Sequence, residues 1–227
     1  MKLSSNTVSV LKNFAAINQG LLFKQGQTLK TISSHKNILA EVNISETIPT
    51  DFGVFDLNNF ISVVSMYKDD PTFEFDDKHV LIVGNKGRSK VKYRFCDPSH
   101  INIPPEKQLS LPNPEISFSL SAEDLEWVMR SSSVLDAPCI AIDSDGQTIS
   151  ILSYDAKNDG SHTDSLSIGT GNGDKYRMIF MKDNLSRVMP GAYDVKISSR
   201  GISHFKNKNI PLQYWITTES GSKFEKA

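Results

Sequence analysis

The chain has 227 residues, of which 25 are Lys or Arg and 26 are Asp or Glu, so its formal net charge is −1 at neutral pH. This balance excludes a polybasic protein that coats nucleic acid by overall charge, and any DNA contact must rely on segregated charge. With domains of typically ~100–150 residues, the length predicts two domains. No run approaches the ~20 apolar residues of a membrane helix and no secretory signal opens the chain, so we expect a protein with no membrane partner that stays where it is made.

The first half alternates one helix with about three strands, twice. Ser4 and Asp56 have side-chain oxygens that can cap the first turn of a helix. An apolar stripe of helical spacing follows each of them, whereas the stretches between are β-rich and bounded by turn residues. The helices begin near residues 4 and 56, and the predicted strands are 21–24, 28–33, 38–44, 73–75, 80–83 and 91–95.

A proline-rich segment then divides the chain nearly in half. Five of the ten prolines lie between residues 96 and 114. Each fixes φ and removes a backbone donor, so the segment is typical of an extended connector. We therefore predict an N-terminal domain at 1–95, a connector at 96–114 and a C-terminal domain at 115–227.

The second half repeats the pattern of the first. Ser121, with Asp124 three residues on, begins one helix, and Asp183 lies in the first turn of another. The helices begin near residues 121 and 182, and the predicted strands are 140–143, 148–154, 165–168, 176–180, 193–198, 202–205 and 212–217.

The helical windows form an internal repeat. In the windows that start at Phe55, Leu120 and Phe180, apolar residues recur at offsets 0, 5, 8 and 9. One unit of a helix and its strands cannot bury its apolar stripe alone, so two units are expected to join into a domain. The sequence therefore predicts an α+β fold of two similar domains, each with two helices packed on antiparallel sheets.

No motif of reactive chemistry stands out. Cys96 and Cys139 lie far apart and fit a reducing compartment without a disulfide or zinc-ligand set. The glycine-rich stretch 169–173 is followed by a strand rather than by the helix that a phosphate cradle needs, and a calcium-loop start at 143–146 has Tyr154 where a bidentate Glu belongs. We expect no cofactor, no metal and no enzymatic activity.

Four stretches carry a resemblance to a known family. They are Met1-Lys2-Leu3-Ser4 with Leu11-Lys12-Asn13-Phe14-Ala15 and Ile17-Asn18, then Asp56-Leu57-Asn58 with Phe60, Ala122-Glu123-Asp124-Leu125, and Met189-Pro190-Gly191-Ala192-Tyr193. Over its whole length the chain resembles the sliding clamps of T4-type bacteriophages, which are DNA polymerase processivity factors.

The resemblance implies an architecture and a set of partners. Such a clamp is a closed homotrimeric ring whose repeated helices line a hole that holds duplex DNA and whose sheets form the outer wall. The implied partners are the phage DNA polymerase, an ATP-driven clamp loader and late-transcription factors, and the implied location is the cytoplasm of the infected bacterial host.

A ring that slides should offer cations and short polar groups to phosphates rather than groups that recognise bases. The candidates on the helices are Lys2, Lys12, Asn58, Ser62, Lys68, Arg130, Lys182 and Arg187. They are equally explained as ordinary solvated helix faces. The six cations among them are opposed by five helix acids, so the sum is +1, a weak charge that suits sliding.

The resemblance also places the contact between subunits at two strands. These are residues 90–95 before the connector and an edge strand at 164–168, with the candidate contact residues Val91, Tyr93, Phe95, Leu166 and Ile168. Period-2 geometry puts Arg88, Lys90, Lys92 and Arg94 on the other face of the first strand. A guarded edge or a solvated basic face is the alternative, and the cations either meet acids such as Asp164 or remain in solvent.

A docking site for partner peptides is expected near the connector. The resemblance places it at Leu109, Leu111, Pro211, Tyr214 and Ile216, where apolar pockets under a loop suit peptide capture. Plain core and linker packing is the alternative for these residues.

Two rival functions remain open at this point. One is a structural β-rich phage protein that oligomerises through its sheet edges without encircling DNA. The other is a hydrolase with a site assembled from scattered Asp and His residues.

Overall fold

The computed structural model describes residues 1–67, 71–107, 109–111 and 113–227. Lys68, one of the predicted DNA-facing cations, lies outside the described residues. The chain divides into two compact units, Met1–Lys107 and Gln108–Ala227. This division falls inside the predicted connector, whose bounds remain a prediction.

The first unit contains two α-helices, a short 3-10 helix (Pro98–His100) and seven strands among its described residues. In chain order they are α1 (Ser5–Ile17), β1 (Leu21–Phe23), β2 (Gly26–Ile32), β3 (Ile38–Ile48), β4 (Phe52–Val54), α2 (Leu57–Ser65), β5 (Thr72–Phe75), β6 (His79–Gly84) and β7 (Ser89–Arg94).

The two helices of the first unit form where the sequence predicted them. The Ser4 Oγ accepts from the Thr7 N–H at 3.2 Å, and Asp56 Oδ1 accepts from the Asn59 N–H at 2.9 Å, so both predicted caps are present. Helix α1 buries Val10, Leu11, Phe14 and Ile17, and helix α2 buries Leu57, Phe60, Ile61 and Val64. The helices contact each other, and each fully buried apolar side chain contributes ~1.5–3 kcal/mol to this core.

The strands of the first unit pair antiparallel. Strand β2 pairs with β3, β1 with β4, and β5, β6 and β7 follow one another in a three-stranded sheet that ends at β7. Gly53 of β4 forms an isolated bridge with Cys96, and a Cβ added at Gly53 would lie 2.6 Å from the Cys96 carbonyl oxygen. Only glycine allows the chain beyond β7 to approach β4 this closely.

The second unit has two helices and nine strands in its described part. In chain order they are β8 (Ile116–Leu120), α3 (Ala122–Val134), β9 (Cys139–Asp145), β10 (Thr148–Tyr154), β11 (Asp164–Thr170), β12 (Lys175–Met181), α4 (Lys182–Leu185), β13 (Tyr193–Ser198), β14 (Ile202–Asn207), β15 (Leu212–Thr217) and β16 (Lys223–Glu225).

The strands of the second unit form two antiparallel arrangements. One is a five-stranded sheet in the order β11-β10-β9-β12-β16, which ends at β11 on one side. In the other, β13 pairs with β8 and β14, and β14 pairs with β15. Helix α3 is capped by Ser121, whose Oγ accepts from the Asp124 N–H at 3.0 Å, and it contacts β9, β10 and β11.

The fourth helix is much shorter than its apolar stripe predicted. Helix α4 has four residues, and its N-cap Met181 makes no side-chain cap hydrogen bond. Phe180, the first residue of the predicted stripe, belongs to strand β12. Helix α4 ends at Leu185, and residues 186–189 are irregular. The chain then turns at Pro190, which cannot continue a helix, and at Gly191, which has a φ of 155°.

Candidate subunit edges and DNA-facing helices

Strand β7 alternates between two kinds of surface. Ser89, Val91 and Tyr93 are half-buried, whereas Lys90, Lys92 and Arg94 are exposed. The half-buried row faces helix α2, because the Tyr93 hydroxyl donates to the Asp56 carbonyl oxygen at 3.2 Å and its ring meets that of Phe60 edge-on with centroids 5.2 Å apart. The terminal strand of this sheet therefore has an apolar row on its helix-bearing face.

Tyr93 and Phe95 already make contacts within the chain. Burial raises the pKa of the Tyr93 hydroxyl above its ordinary value. The Phe95 ring, just beyond the strand, lies 5.2 Å from the Phe52 ring. Both side chains remain half-buried, so each keeps surface that a second chain can cover.

Strand β11 has the same kind of row at the end of its own sheet. Asp164, Leu166 and Ile168 are half-buried, while Ser165 and Ser167 are exposed. Trp127 of helix α3 donates from Nε1 to Asp164 Oδ2 at 2.9 Å, so the start of this row also faces a helix. The two terminal strands thus have matching apolar rows on their helix-bearing faces, one in each unit.

The cations of β7 lie on the other face of the strand. Asp164 lies on the helix-bearing face of β11, where it binds Trp127. Joining the two edges with their helices on one side would therefore separate Lys90, Lys92 and Arg94 from Asp164. Both options left open by the sequence, cations that meet acids such as Asp164 and cations that remain in solvent, stay predictions.

The helix cations of the first unit are exposed. Lys2 precedes α1, Lys12 lies on it, and both are exposed, as are Asn58 and Ser62 on α2. The Ser62 hydroxyl donates to the Asn58 carbonyl oxygen at 2.8 Å. These side chains are available to solvent or to a ligand, which fits both the DNA-facing prediction and a simple solvated surface.

The predicted helix cations of the second unit are more engaged, and Arg187 lies beyond the end of α4 rather than on a helix. Arg130 forms an exposed ion pair with Glu126 at 2.6 Å. The Lys182 Nζ donates to the Ser132 carbonyl oxygen at 3.4 Å, and both Lys182 and Arg187 are half-buried. Since part of their charge is neutralised or oriented within the chain, this surface is only weakly positive.

The start of α1 is tied to strand β3 through Glu46. The Ser4 N–H donates to Glu46 Oε1, and the Thr7 hydroxyl donates to Oε2 at 2.7 Å. Burial by itself would raise the pKa of this carboxyl, but the hydrogen bonds outweigh it and lower the pKa of Glu46 to about 2. A carboxylate at the N-terminus of a helix also complements the helix dipole, so Glu46 fixes the entry to α1.

Two of the predicted pocket residues have no surface for a partner. Tyr214 and Ile216 are 0% exposed, and the Tyr214 hydroxyl accepts from the Met189 N–H at 3.1 Å. Burial raises the pKa of Tyr214 well above its ordinary value. The prediction is wrong for direct contact by these two side chains, because they pack in the core of the second unit. Pro211 is exposed and Leu109 and Leu111 are half-buried, so for these three it stays a prediction.

A cavity beside the start of the connector escaped the sequence analysis. It has a volume of about 400 Å³, and its lining includes Leu22, Thr28, Ile103 and Pro104. Ile103 is 43% exposed. The signal available in the sequence was an isoleucine directly before two prolines.

Neither a metal cluster nor a spanning helix is found in the part of the chain that the structure describes. No group of three or more His, Cys, Asp or Glu side chains in these ranges could hold a metal ion. None of the described helices is long and apolar enough to cross a bilayer.

Comparison with protein families places the chain among the clamps. Residues 2–102 match the family model described as DNA polymerase processivity factor, and residues 117–220 match that of the gp45 sliding clamp, C terminal. The chain is 32% identical to the sliding clamp of Escherichia phage RB69, covering 98% of each chain. It is 29% identical to that of Vibrio phage KVP40, over 97% of this chain and all of the relative. The chain belongs to the phage sliding-clamp family, the non-enzymatic processivity factors of DNA polymerases.

Solved structures give the same fold at low sequence identity. The chain aligns with PCNA from Thermococcus kodakaraensis at a TM-score of 0.70 and 13% identity, covering 96% of this chain and 99% of that one. It aligns with the beta clamp of Helicobacter pylori at a TM-score of 0.69 and 12% identity, covering 94% of this chain and 64% of the other. The sliding-clamp fold predicted from the sequence is confirmed.

Proposed function

We propose that three copies of this chain assemble head to tail into a closed ring that encircles duplex DNA and tethers a phage replicative polymerase. The observation that carries the proposal is the pair of terminal strands, β7 in one unit and β11 in the other, with matching half-buried rows. A contact between two different surfaces closes into a ring when its rotation allows, and joining two sheet edges supplies backbone hydrogen bonds for it.

The apolar rows supply the side-chain part of this contact. Val91, Tyr93 and Phe95 of one copy would cover Leu166 and Ile168 of the next, on the face that carries the helices. Cross-strand apolar pairs contribute ~0.2–1 kcal/mol each, so several pairs in three interfaces support a closed ring.

The helices would face the DNA with a weak, mobile positive surface. Exposed Lys2, Lys12 and Asn58 and the more engaged Arg130, Lys182 and Arg187 can contact phosphates without recognising bases. Each tight phosphate contact strengthens salt-dependent binding and would slow sliding, so partial neutralisation by Glu126 suits a ring that moves.

Encirclement turns repeated rebinding of the polymerase into an intramolecular event at high effective concentration. An ATP-driven loader would supply the free energy for opening, and late-transcription factors would use the same ring, in the cytoplasm of the infected bacterium.

We place the docking of partner peptides at Leu109, Leu111 and Pro211. A Leu111→Ser variant should then lose polymerase binding while an Ile103→Ser variant, at the cavity by the start of the connector, keeps it, and the reverse result would move the site.

The solution mass tests the ring. Sedimentation should give three times the chain mass of 25.3 kDa. A Tyr93→Lys, Phe95→Lys variant should shift toward monomer, whereas Lys92→Gln, on the opposite face, should not. A trimer that survives the double change would place the interface elsewhere.

Retention on DNA tests the topology. With a loader and ATP, the protein should remain on nicked circular plasmid during gel filtration and leave once the plasmid is linearised. Equal retention on both forms, or none on either, would favour the rival structural protein, because only a closed ring responds to free DNA ends.

A further inference from the structure

The segment 78–96 holds a large share of the positive charge of the chain. It contains six Lys or Arg residues and no Asp or Glu, so the remaining residues have 19 cations against 26 acids. Attraction of an anionic partner depends on such a local excess rather than on the net charge of −1. Strands β6 and β7, which form most of this segment, are therefore the place where such a partner would be attracted.

Three of these cations form a ridge along β7. Lys90, Lys92 and Arg94 are exposed on the face opposite the half-buried row, and we call them the cationic ridge. Strands rise ~3.3–3.4 Å per residue, so neighbouring members of the ridge are ~6.7 Å apart along the strand. Lys86 and Arg88 are exposed in the turn that precedes β7. Within the described residues, none of these five cations forms an ion pair.

An aliphatic strip runs beside the ridge on strand β6. Leu81 is paired with Lys92, and Val83 is paired with Lys90. Residues directly opposite each other in an antiparallel pair lie on the same face of the sheet. Both aliphatic side chains are half-buried, so they keep surface that a partner can cover. The face thus has a charged row and an apolar row, one strand apart.

The Arg94 end of the ridge borders a cleft in which both signs of charge meet. The cleft has a volume of about 800 Å³, and Asp76 and Asp97 are among its lining residues. Asp76 Oδ2 lies 2.7 Å from His79 Nδ1, and Asp97 accepts from the Ser99 N–H at 2.8 Å. A wholly acidic segment would meet carboxylates here. The acids of a partner therefore fit along the ridge and a polar or basic residue fits at the cleft, which gives the segment one direction.

An extended peptide matches the ridge and the strip together. Its side chains point alternately to two sides, and those on one side repeat at the same ~6.7 Å. Acids at every second position can therefore meet the ridge while aliphatic residues between them cover Leu81 and Val83. Single-stranded nucleic acid has a repeated charge as well, but its binding relies on aromatic side chains that stack on bases. Among the described strand residues of this face there is no Phe, Tyr or Trp.

We propose that the cationic ridge and the aliphatic strip bind an extended segment of a protein partner in which acidic and aliphatic residues alternate. This surface shares no residue with the predicted DNA-facing set or with the peptide site placed at Leu109, Leu111 and Pro211. The proposal goes beyond the ring and does not depend on it, since both rows belong to one chain. A protein that proves monomeric and still binds the segment would keep the inference and remove the ring.

Peptide binding tests the proposal directly. In fluorescence anisotropy, a labelled peptide of four Glu-Val repeats should bind at least ~3-fold more tightly than one of two Glu-Glu-Val-Val repeats, which has the same charge and composition. Exposed charges are screened by salt, so its dissociation constant should rise at least ~10-fold between about 50 and about 300 mM salt. Equal binding of the two peptides, or none below about 1 mM, overturns the proposal. Tighter binding of an oligothymidylate with the same number of charges also overturns it and assigns the ridge to nucleic acid.

Charge reversals locate the site. Lys90→Glu with Lys92→Glu should weaken binding of the alternating peptide at least ~10-fold. Lys196→Glu with Lys206→Glu is the matched control, because it reverses two exposed cations on β13 and β14 and changes the net charge equally. It should leave binding within ~2-fold. Lys90→Gln with Lys92→Gln covers the case in which the reversal does not fold, and it should weaken binding at least ~3-fold. Equal losses in the ridge and control variants, or no loss in the ridge variants, would contradict the assignment.

Discussion

Strands β7 and β15 are both six-residue strands with alternating side chains, yet their apolar rows differ in burial. In β7 the apolar row is half-buried, and the strand ends its sheet. In β15 the row of Leu212, Tyr214 and Ile216 is at most 1% exposed. The Tyr214 ring lies 6.2 Å from that of Tyr193, so β15 packs in the core of the second unit.

A sequence pattern does not distinguish the face on which a side chain lies from the availability of that side chain to a partner. Alternation identifies which side chains share a face, whereas availability depends on what packs against that face. Residues expected to bind partners therefore divide into those at a terminal strand, which keep surface for a second chain, and those at β15, which stabilise their own unit. Four measurements test this division, and they follow in order of decreasing effect on folding or assembly.

Replacing a core side chain of β15 should have the largest effect. The Ile216 side chain is 0% exposed, so Ile216→Ala leaves a cavity in the core, and the free energy of unfolding should fall by about 2–4 kcal/mol. Urea denaturation at monomeric concentrations measures it, with Val91→Ala of β7 as the matched control, expected to cost under ~1 kcal/mol. Equal losses at the two sites would remove the distinction between the strands.

Replacing an edge side chain should weaken assembly rather than folding. Ile168→Lys puts a charge into the apolar row of β11. We expect the concentration at which half the trimer dissociates to rise at least ~10-fold. Ser167→Lys, the exposed neighbour on the opposite face, is the control and should assemble normally in sedimentation experiments. If both variants assemble alike, β11 does not use its helix-bearing face.

Replacing the half-buried carboxylate of Glu46 should have an intermediate effect that depends on pH. Because its folded pKa of about 2 is below the ordinary value of 4.5, ionised Glu46 adds stability above pH 4.5 that is lost as the pH falls toward 2. After allowance for solvent screening, Glu46→Gln should cost about 1–2 kcal/mol at pH 7.

Urea unfolding at pH 7 and pH 3 checks this expectation. The gap between wild type and Glu46→Gln should shrink at pH 3, while Glu74→Gln, at an exposed carboxylate of β5, should leave stability within ~0.5 kcal/mol at both. A gap that grows on acidification would contradict the hydrogen-bonding role of Glu46.

Reversing two charges predicted to face DNA should change stability least and function most. Lys12→Glu with Arg187→Glu should cost under ~1 kcal/mol of folding free energy and leave the trimer intact, but shorten the products of a clamp-dependent polymerase. Lys196→Glu, an exposed cation of strand β13, is the control and should keep normal product length. Unimpaired synthesis by the double variant would remove Lys12 and Arg187 from the DNA-facing surface.

Much of the local structure followed from the sequence. Helices α1, α2 and α3 begin at the predicted caps Ser4, Asp56 and Ser121, and strand β10 has the predicted bounds. Strands β4, β8 and β16 were missed. Two of them have only three residues, and β8, although it alternates over five residues, lies just beyond the proline-rich stretch that was assigned to the connector.

Three properties follow from the amino-acid sequence without the structure: the direction of each side chain, the capped starts of three helices, and the family. They depend on local geometry and on short sequence motifs. Tertiary packing is needed to know that Ile216 is core, that Asp164 binds Trp127, and that α4 ends after one turn. Each of these depends on which distant residues pack against a face, and a pattern with a period of two or 3.6 residues contains no information about distant residues.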